Sequence, residues 1–528
     1  MGNAAADDTR KFVDLLFFNG HPAIRKSSFL MMKTTSAEKI FSVMTTGVVL
    51  TVSVIVGLVG CAAVGPDYVP PETGAPAAWH TDLRGGVAAE SPDPRLLAGW
   101  WATLDDPLLS GLIEQALNAN LDVGQAKARV REARARRGIS QAGRSPTLDA
   151  GGSATRSKSS ENSGGGATRS FYAASSDAGW EVDIFGGVRR GVEAAEADLA
   201  ASREELRDVL VTLIAEVALN YLDTRTYQSR LAVAEDNLAI QQQTFELIRS
   251  RYEAGLGDEL ALQQARSSLE STRAQIPVLR SGLEEAKNRL AVLTGKAPGG
   301  VHDLLAERKP IPVIPPMVAV GVPAETLRQR PDIRRAERSL AAQTARVGAA
   351  TADFYPKFRL AGSIGLESLK SAELFQSASQ AWNIGPSVSW NIFDAGAIRQ
   401  NIEVQSAIGE QYLLAYEAAI LGALEEVENA LSAYVEEQLR RERLLVAVDA
   451  ARQAEALAAN QYSAGLVDFT IVLDAQRTLL SFEDQLAESD GAVVSGLIRL
   501  YKALGGGWQA AAPATEPQAV GKRENDKE

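Results

Sequence analysis

Two periodicities run through this chain. Over residues 358–366, Phe358, Leu360, Gly362, Ile364 and Leu366 alternate with Arg359, Ala361, Ser363 and Gly365. Over 382–392, Trp382, Ile384, Pro386, Val388, Trp390 and Ile392 alternate with Asn383, Gly385, Ser387, Ser389 and Asn391. Period two predicts strands with one apolar face and one small or polar face. The same phase recurs more weakly at Leu148, Ala150 and Ala154, and at Tyr172, Ala174, Ala178, Trp180, Val182 and Ile184. Between 188 and 253 the period changes. Leu210, Val217, Leu231, Leu238, Phe245 and Tyr252 fall on a seven-residue spacing, as do Leu206, Leu213, Tyr227, Ala234 and Ile248. That is a coiled-coil seam, and a helix of this length reaches about 100 Å at ~1.5 Å per residue.

These elements occur twice. At an offset of 210 residues Asp122 meets Asp332, Pro146 meets Pro356, Trp180 meets Trp390 and Arg189 meets Arg399. Tyr252, Gly255 and Leu256 meet Tyr462, Gly465 and Leu466, and Gly295 meets Gly505. Each repeat reads as helix, strand, strand, long helix, turn, helix. The first helices are expected at about 106–143 and 323–353, ended by Pro146 and Pro356. The long helices turn back at 251–258 and 461–468, where Gly255 and Gly465 suit helix termination and Asp258 can cap the returning helix. Pro277 is expected to kink or interrupt that return.

The strands alone fit either hairpins on a soluble core or membrane strands, apolar to lipid and polar to a lumen. If they span, four cannot close a barrel, and open edges are not tolerated in lipid. Several copies must then pool their strands. The long helices likewise need lateral neighbours.

Composition narrows the options. The 528 residues are 45% hydrophobic and only 6% aromatic, which favours long helices. A net charge of -12 argues against a nucleic-acid partner. The single cysteine excludes internal disulfides and cysteine metal clusters. The three histidines, His21, His80 and His302, are scattered, and no Walker A, GxSxG or HExxH pattern occurs. Nothing points to an enzyme, a cofactor or a metal site.

Residues 45–60 form an apolar run behind Lys33 and Lys39, the layout of a secretory signal. The run ends in Leu58, Val59, Gly60 and Cys61. These resemble a bacterial lipobox, which implies a diacylglyceryl anchor on Cys61; the alternative is a cysteine buried at the end of a membrane helix. Residues 1–30 look unlike a signal, so Met31 or Met32 is the expected start. The expected organisation is an extension and signal at 1–60, a proline-rich lipidated strap at 61–98, and repeat one at 99–297. An inter-repeat segment at 298–322, repeat two at 323–508 and a disordered tail at 509–528 follow.

Five stretches then carry a resemblance: the segment from Gly99-Trp100-Trp101, Asn120-Leu121-Asp122, Trp180-Glu181-Val182-Asp183-Ile184-Phe185-Gly186, Arg330-Pro331-Asp332-Ile333, and Leu473-Asp474-Ala475-Gln476-Arg477. Together they resemble the TolC-like outer-membrane factors, in the lipoprotein branch serving resistance-nodulation-division (RND) efflux pumps, over about residues 61–508. The resemblance implies a mainly α protein with a β-barrel portion, a tandem-repeat protomer of a trimeric channel. Four membrane strands per chain would give a twelve-stranded barrel in the outer membrane, continued by a helical tunnel into the periplasm. It implies a passive exit duct for small molecules, with a homotrimer, a periplasmic adaptor, an inner-membrane RND transporter and outer-membrane lipid as partners. Tyr252, Gly255, Leu256, Tyr462, Gly465 and Leu466 become adaptor contacts. Asp474 becomes the gate candidate, with Thr470 standing where relatives carry leucine. Type I protein secretion and a poreless coiled-coil scaffold are the rival readings.

Overall fold

The structure is a computed structural model and describes residues 63–511 apart from 73, 92 and 316. Leu58, Val59, Gly60 and Cys61, and the tail from 512 onward, lie outside the described residues.

Repeat one comprises α1 (Pro107–Ala119), α2 (Leu121–Ala142), β2 (Thr147–Lys158), β3 (Thr168–Val182), α3 (Gly187–Glu253) and α4 (Glu259–Leu293). Repeat two comprises α5 (Pro323–Gln329), α6 (Pro331–Ala352), β5 (Lys357–Ser368), β6 (Gln380–Ser389), α7 (Ala397–Ser463) and α8 (Phe469–Ala503). Two short strands, β1 (Val87–Ala88) and β4 (Val318–Ala319), pair in parallel outside the repeats. The two long helices have 67 residues each and their returns 35 each. No described helix is long and apolar enough to cross a membrane.

Four expectations change. The first helix of each repeat is two helices. Asn120 breaks repeat one: its backbone is extended, and its side chain accepts from the amides of Asp122 and Val123. Such a cap stabilises by about 1 kcal/mol. In repeat two Arg330 takes this position and Pro331 opens α6. The third change is that Pro277 interrupts nothing: α4 runs through it. Pro277 and Arg273 both lie on the exposed face of α4, where water can satisfy a carbonyl that loses its amide partner. Last, β6 stops at Ser389, leaving Trp390 and Ile392 beyond it.

The four long strands form one antiparallel sheet in the order β2-β3-β5-β6. Its register puts the alternating faces in phase. Ala150, Ser176, Ile364 and Trp382 share a row on one face; Asp149, Asp177, Ser363 and Asn383 share the next row on the other. β2 and β6 are its edges.

The main core lies where α1, α3, α4, α7 and α8 converge. Leu109, Val217, Leu290, Leu431 and Leu497 are buried there, and Trp100 stacks on Tyr501 at 5.3 Å. Around it α3 packs against α1, α2, α4, α6 and α8, whereas α7 packs mainly on α6 and α8.

Candidate functional site

Among the described residues no group of acids, histidines and cysteines could hold a metal. The chemistry of this chain lies in its two ends, its edges and the links between them.

At the turn end α3 and α4 form one hairpin, α7 and α8 a second. Gly255 donates to the carbonyl of Tyr252 at 2.9 Å, and Leu256 to that of Arg251 at 2.8 Å. Gly465 and Leu466 repeat this toward Tyr462 and Gln461 at 3.0 and 2.9 Å. Both glycines are left-handed, with φ of 72° and 75°, so helix termination by itself requires them. Asp258 caps α4 by accepting from Leu260, while Asp468 caps without a side-chain bond. Leu256 and Leu466 project into solvent, 78% and 75% exposed. Beneath them Ile248, Ala265, Ala458, Phe469, Val472 and Leu473 join the two hairpins in a small apolar core. Tyr462 belongs to its rim, tilted on Phe469 and covered by Arg251. Its counterpart Tyr252 is exposed.

Thr470 and Asp474 are both exposed on α8, one turn apart and therefore on one face. Val472 and Leu473 between them are buried. Asp474 makes no ion pair among the described residues. Its repeat-one counterpart, Gln264, is half-buried, with Oε1 buried and unpartnered. The structure thus sets the candidate acid facing outward in one repeat only.

The opposite end carries the sheet. Trp180 donates its indole N–H to the Arg144 carbonyl at 3.0 Å, and Trp390 repeats this toward Phe354 at 3.0 Å. Each bond ties the end of a hairpin to the chain leaving the preceding helix. The strap runs from here along the helices. Val64 donates to the Phe185 carbonyl at 3.0 Å, the Trp79 indole to Gly321 at 2.9 Å, and β1 then joins β4.

The residues that hold the strap were not foreseen from the sequence. Arg190 is buried and donates to the carbonyls of Val64 and Gly65 and to Asp67. Glu428 accepts from the amides of His80 and Thr81 at 2.6 and 3.0 Å. Burial alone would raise the Glu428 carboxyl, yet these amides hold it below its ordinary value. No local signal marks either residue, since the partners stand more than a hundred positions away.

Two buried arginines at mid-height were also missed. Arg330 donates to the Ala503 carbonyl at 2.6 Å and pairs with Asp332 and Glu426, each at 2.7 Å. Desolvation pushes the Asp332 carboxyl up, but the Arg330 fork outweighs it and the net shift is down. Arg225 is fully buried and donates to Tyr221, Gln228 and the Glu307 carbonyl. Tyr221 donates in turn to Asp106. Burial first, then that carboxylate, push the Tyr221 hydroxyl up to about 12. Arg225, with Gln228 donating to the Leu305 carbonyl, thus clamps residues 305–307 onto α3.

Known proteins match this architecture along its length. The family model described as outer membrane efflux protein matches twice, at residues 112–296 and 322–506. Nodulation protein T of Rhizobium leguminosarum bv. trifolii is 33% identical over 87% of this chain and 97% of its own. The toluene efflux pump outer membrane protein TtgF of Pseudomonas putida is 33% identical over 87% of this chain and 96% of its own. Among solved structures, the outer-membrane channel OprN superposes with a TM-score of 0.80 at 36% identity, over 85% of this chain and 100% of that one.

Proposed function

The chain belongs to the outer membrane efflux protein family and is an outer-membrane channel component of a tripartite efflux pump; we propose that three copies make one duct. The observation that carries this is the sheet. It has two free edges, β2 and β6, and two unlike faces in register. Three copies would close twelve strands, apolar side to lipid and polar side to water, leaving no edge exposed. The protein then serves as a passive exit for small molecules delivered by an inner-membrane RND transporter through a periplasmic adaptor.

In this reading the turns at 251–258 and 461–468 meet the adaptor. The exposed Leu256 and Leu466 give it apolar contacts, with Tyr252, Gly255, Tyr462 and Gly465 around them. Asp474 lines the closed end as a ring of three, and mutual repulsion of its carboxylates favours opening. Thr470 on the same face leaves that constriction without an apolar layer. Cys61 carries the diacylglyceryl anchor behind Leu58, Val59 and Gly60. The segments 296–322 and 505–520, the latter described up to residue 511, form an equatorial collar.

Purified protein in planar bilayers tests the reading. A stable cation conductance, with heat-resistant trimers on electrophoresis, is expected. A monomer without conductance would refute it. Asp474→Ala should lower cation conductance and weaken cation block, and Gln264→Ala should do neither; an unchanged Asp474→Ala channel would remove the acid from the gate.

A further inference from the structure

The outward face of the sheet ends in charge on one strand. Along β2 the positions in phase with Leu148 are Ala150, Gly152, Ala154, Arg156 and Lys158. All are small or apolar up to Ala154; the last two are cations at the hairpin end, farthest from the helices. Both are exposed and neither has an ion pair among the described residues. The repeat-two counterparts, Leu366 and Ser368, are uncharged. The cations therefore occur on an edge strand alone.

The repeat supplies their neighbours. Within the chain Tyr172 pairs with Ser368 and Ala174 with Leu366 across β3 and β5. Shifting the first member forward by the 210-residue offset, and the second back, sets Trp382 opposite Lys158 of a second copy and Ile384 opposite Arg156. Trp382 is 74% exposed in the single chain. An indole beside an ammonium and a guanidinium group, on a lipid-facing surface at the bilayer rim, is an interfacial site. A cation is tolerated on such a face only near the headgroups, and two without protein partners call for an anion there.

We propose that Arg156 and Lys158, with Trp382 of the adjoining copy, bind the phosphate of a phosphorylated lipid in the outer leaflet, one site per junction between copies. The inference rests on the reading that the strands span the outer membrane as a trimer. Charge on an edge strand also discourages false strand pairing, and the test separates that role from lipid binding.

Trimers of the wild type, R156Q/K158Q and R156E/K158E are titrated with diphosphoryl lipid A, with the same lipid after dephosphorylation, and with inorganic phosphate. Bound lipid is counted by native mass spectrometry. The wild type should take up to three diphosphoryl lipids, with at least tenfold weaker binding after dephosphorylation or in R156Q/K158Q. R156E/K158E, which keeps a charged edge, should bind least. Equal binding by R156Q/K158Q, equal binding of the dephosphorylated lipid, or displacement by millimolar inorganic phosphate would each overturn the site. Conductance of the same preparations keeps the premise separate: open channels with lost lipid support the proposal, while a wild type that neither conducts nor trimerises refutes the spanning reading itself.

Discussion

The two repeats share a skeleton and differ in what covers it. Their long helices start, turn and stop at matching positions, with no insertion between them. Asn120 donates to the Leu293 carbonyl, and Arg330, its counterpart, to that of Ala503, the counterpart of Leu293. Yet Val211 on α3 is 5% exposed, while its counterpart Leu421 on α7 is 67% exposed; Ala194 and Val404 differ in the same way, 5% against 52%. The backbone is the same and the neighbours are not: α3 lies between α2, α4, α6 and α8, and α7 packs mainly on α6 and α8. What α7 lacks is a second pair of neighbours like the α6 and α8 that α3 receives from repeat two; the α2 and α4 of a second copy would supply it. Such head-to-tail contacts close into rings.

Charging the open face of α7 should therefore have the largest effect. Leu421→Glu is expected to abolish heat-resistant trimers while the chain keeps its helical circular dichroism; trimers surviving at wild-type yield would show that this face is not an interface. Arg330→Ala comes next. It strands Asp332, Glu426 and the Ala503 carbonyl, and breaking a buried pair costs about 3–5 kcal/mol. Asn120→Ala, the same position in repeat one, should cost only about 1–2 kcal/mol. Thermal unfolding of the two variants in parallel would expose any failure of that order.

The Asp332 pair adds a pH dependence. Its carboxyl titrates lower in the folded protein than in the unfolded chain. The stabilisation is present above the unfolded value and is lost as pH falls through the folded one. Asp332→Asn should flatten that acid limb of the melting curve, and a limb of unchanged steepness would assign it to other acids. The smallest effect belongs to the turns. A Cβ at Gly255 or Gly465 meets nothing within 4 Å, so alanine there adds only left-handed strain. That is about 1 kcal/mol per site, read as a small shift in melting temperature.

Features fixed by neighbours in sequence were legible; those fixed by neighbours in space were not. The strand phase showed because alternation is local, and Gly255 and Gly465 showed because a left-handed turn leaves few other choices. The break at Asn120 did not, since an asparagine inside a helical pattern looks like any polar surface position until its amide partners are known. Pro277 shows the converse: proline weakens a helix, but at its exposed position on α4 the helix is not interrupted. Of the candidate site, the motif that holds Asp474 was readable, whereas the arginine clamps and the strap's anchors required the fold.

The equal lengths of paired helices restrict how such a protein can be altered. A turn added to α3 alone would lift its hairpin out of line with that of α7 and shear the small core at Ile248 and Phe469. A taller molecule requires matched additions in α3, α4, α7 and α8, each a whole number of heptads. Height can thus change only in fixed steps, and an insertion in one hairpin alone breaks the apolar core that joins the two.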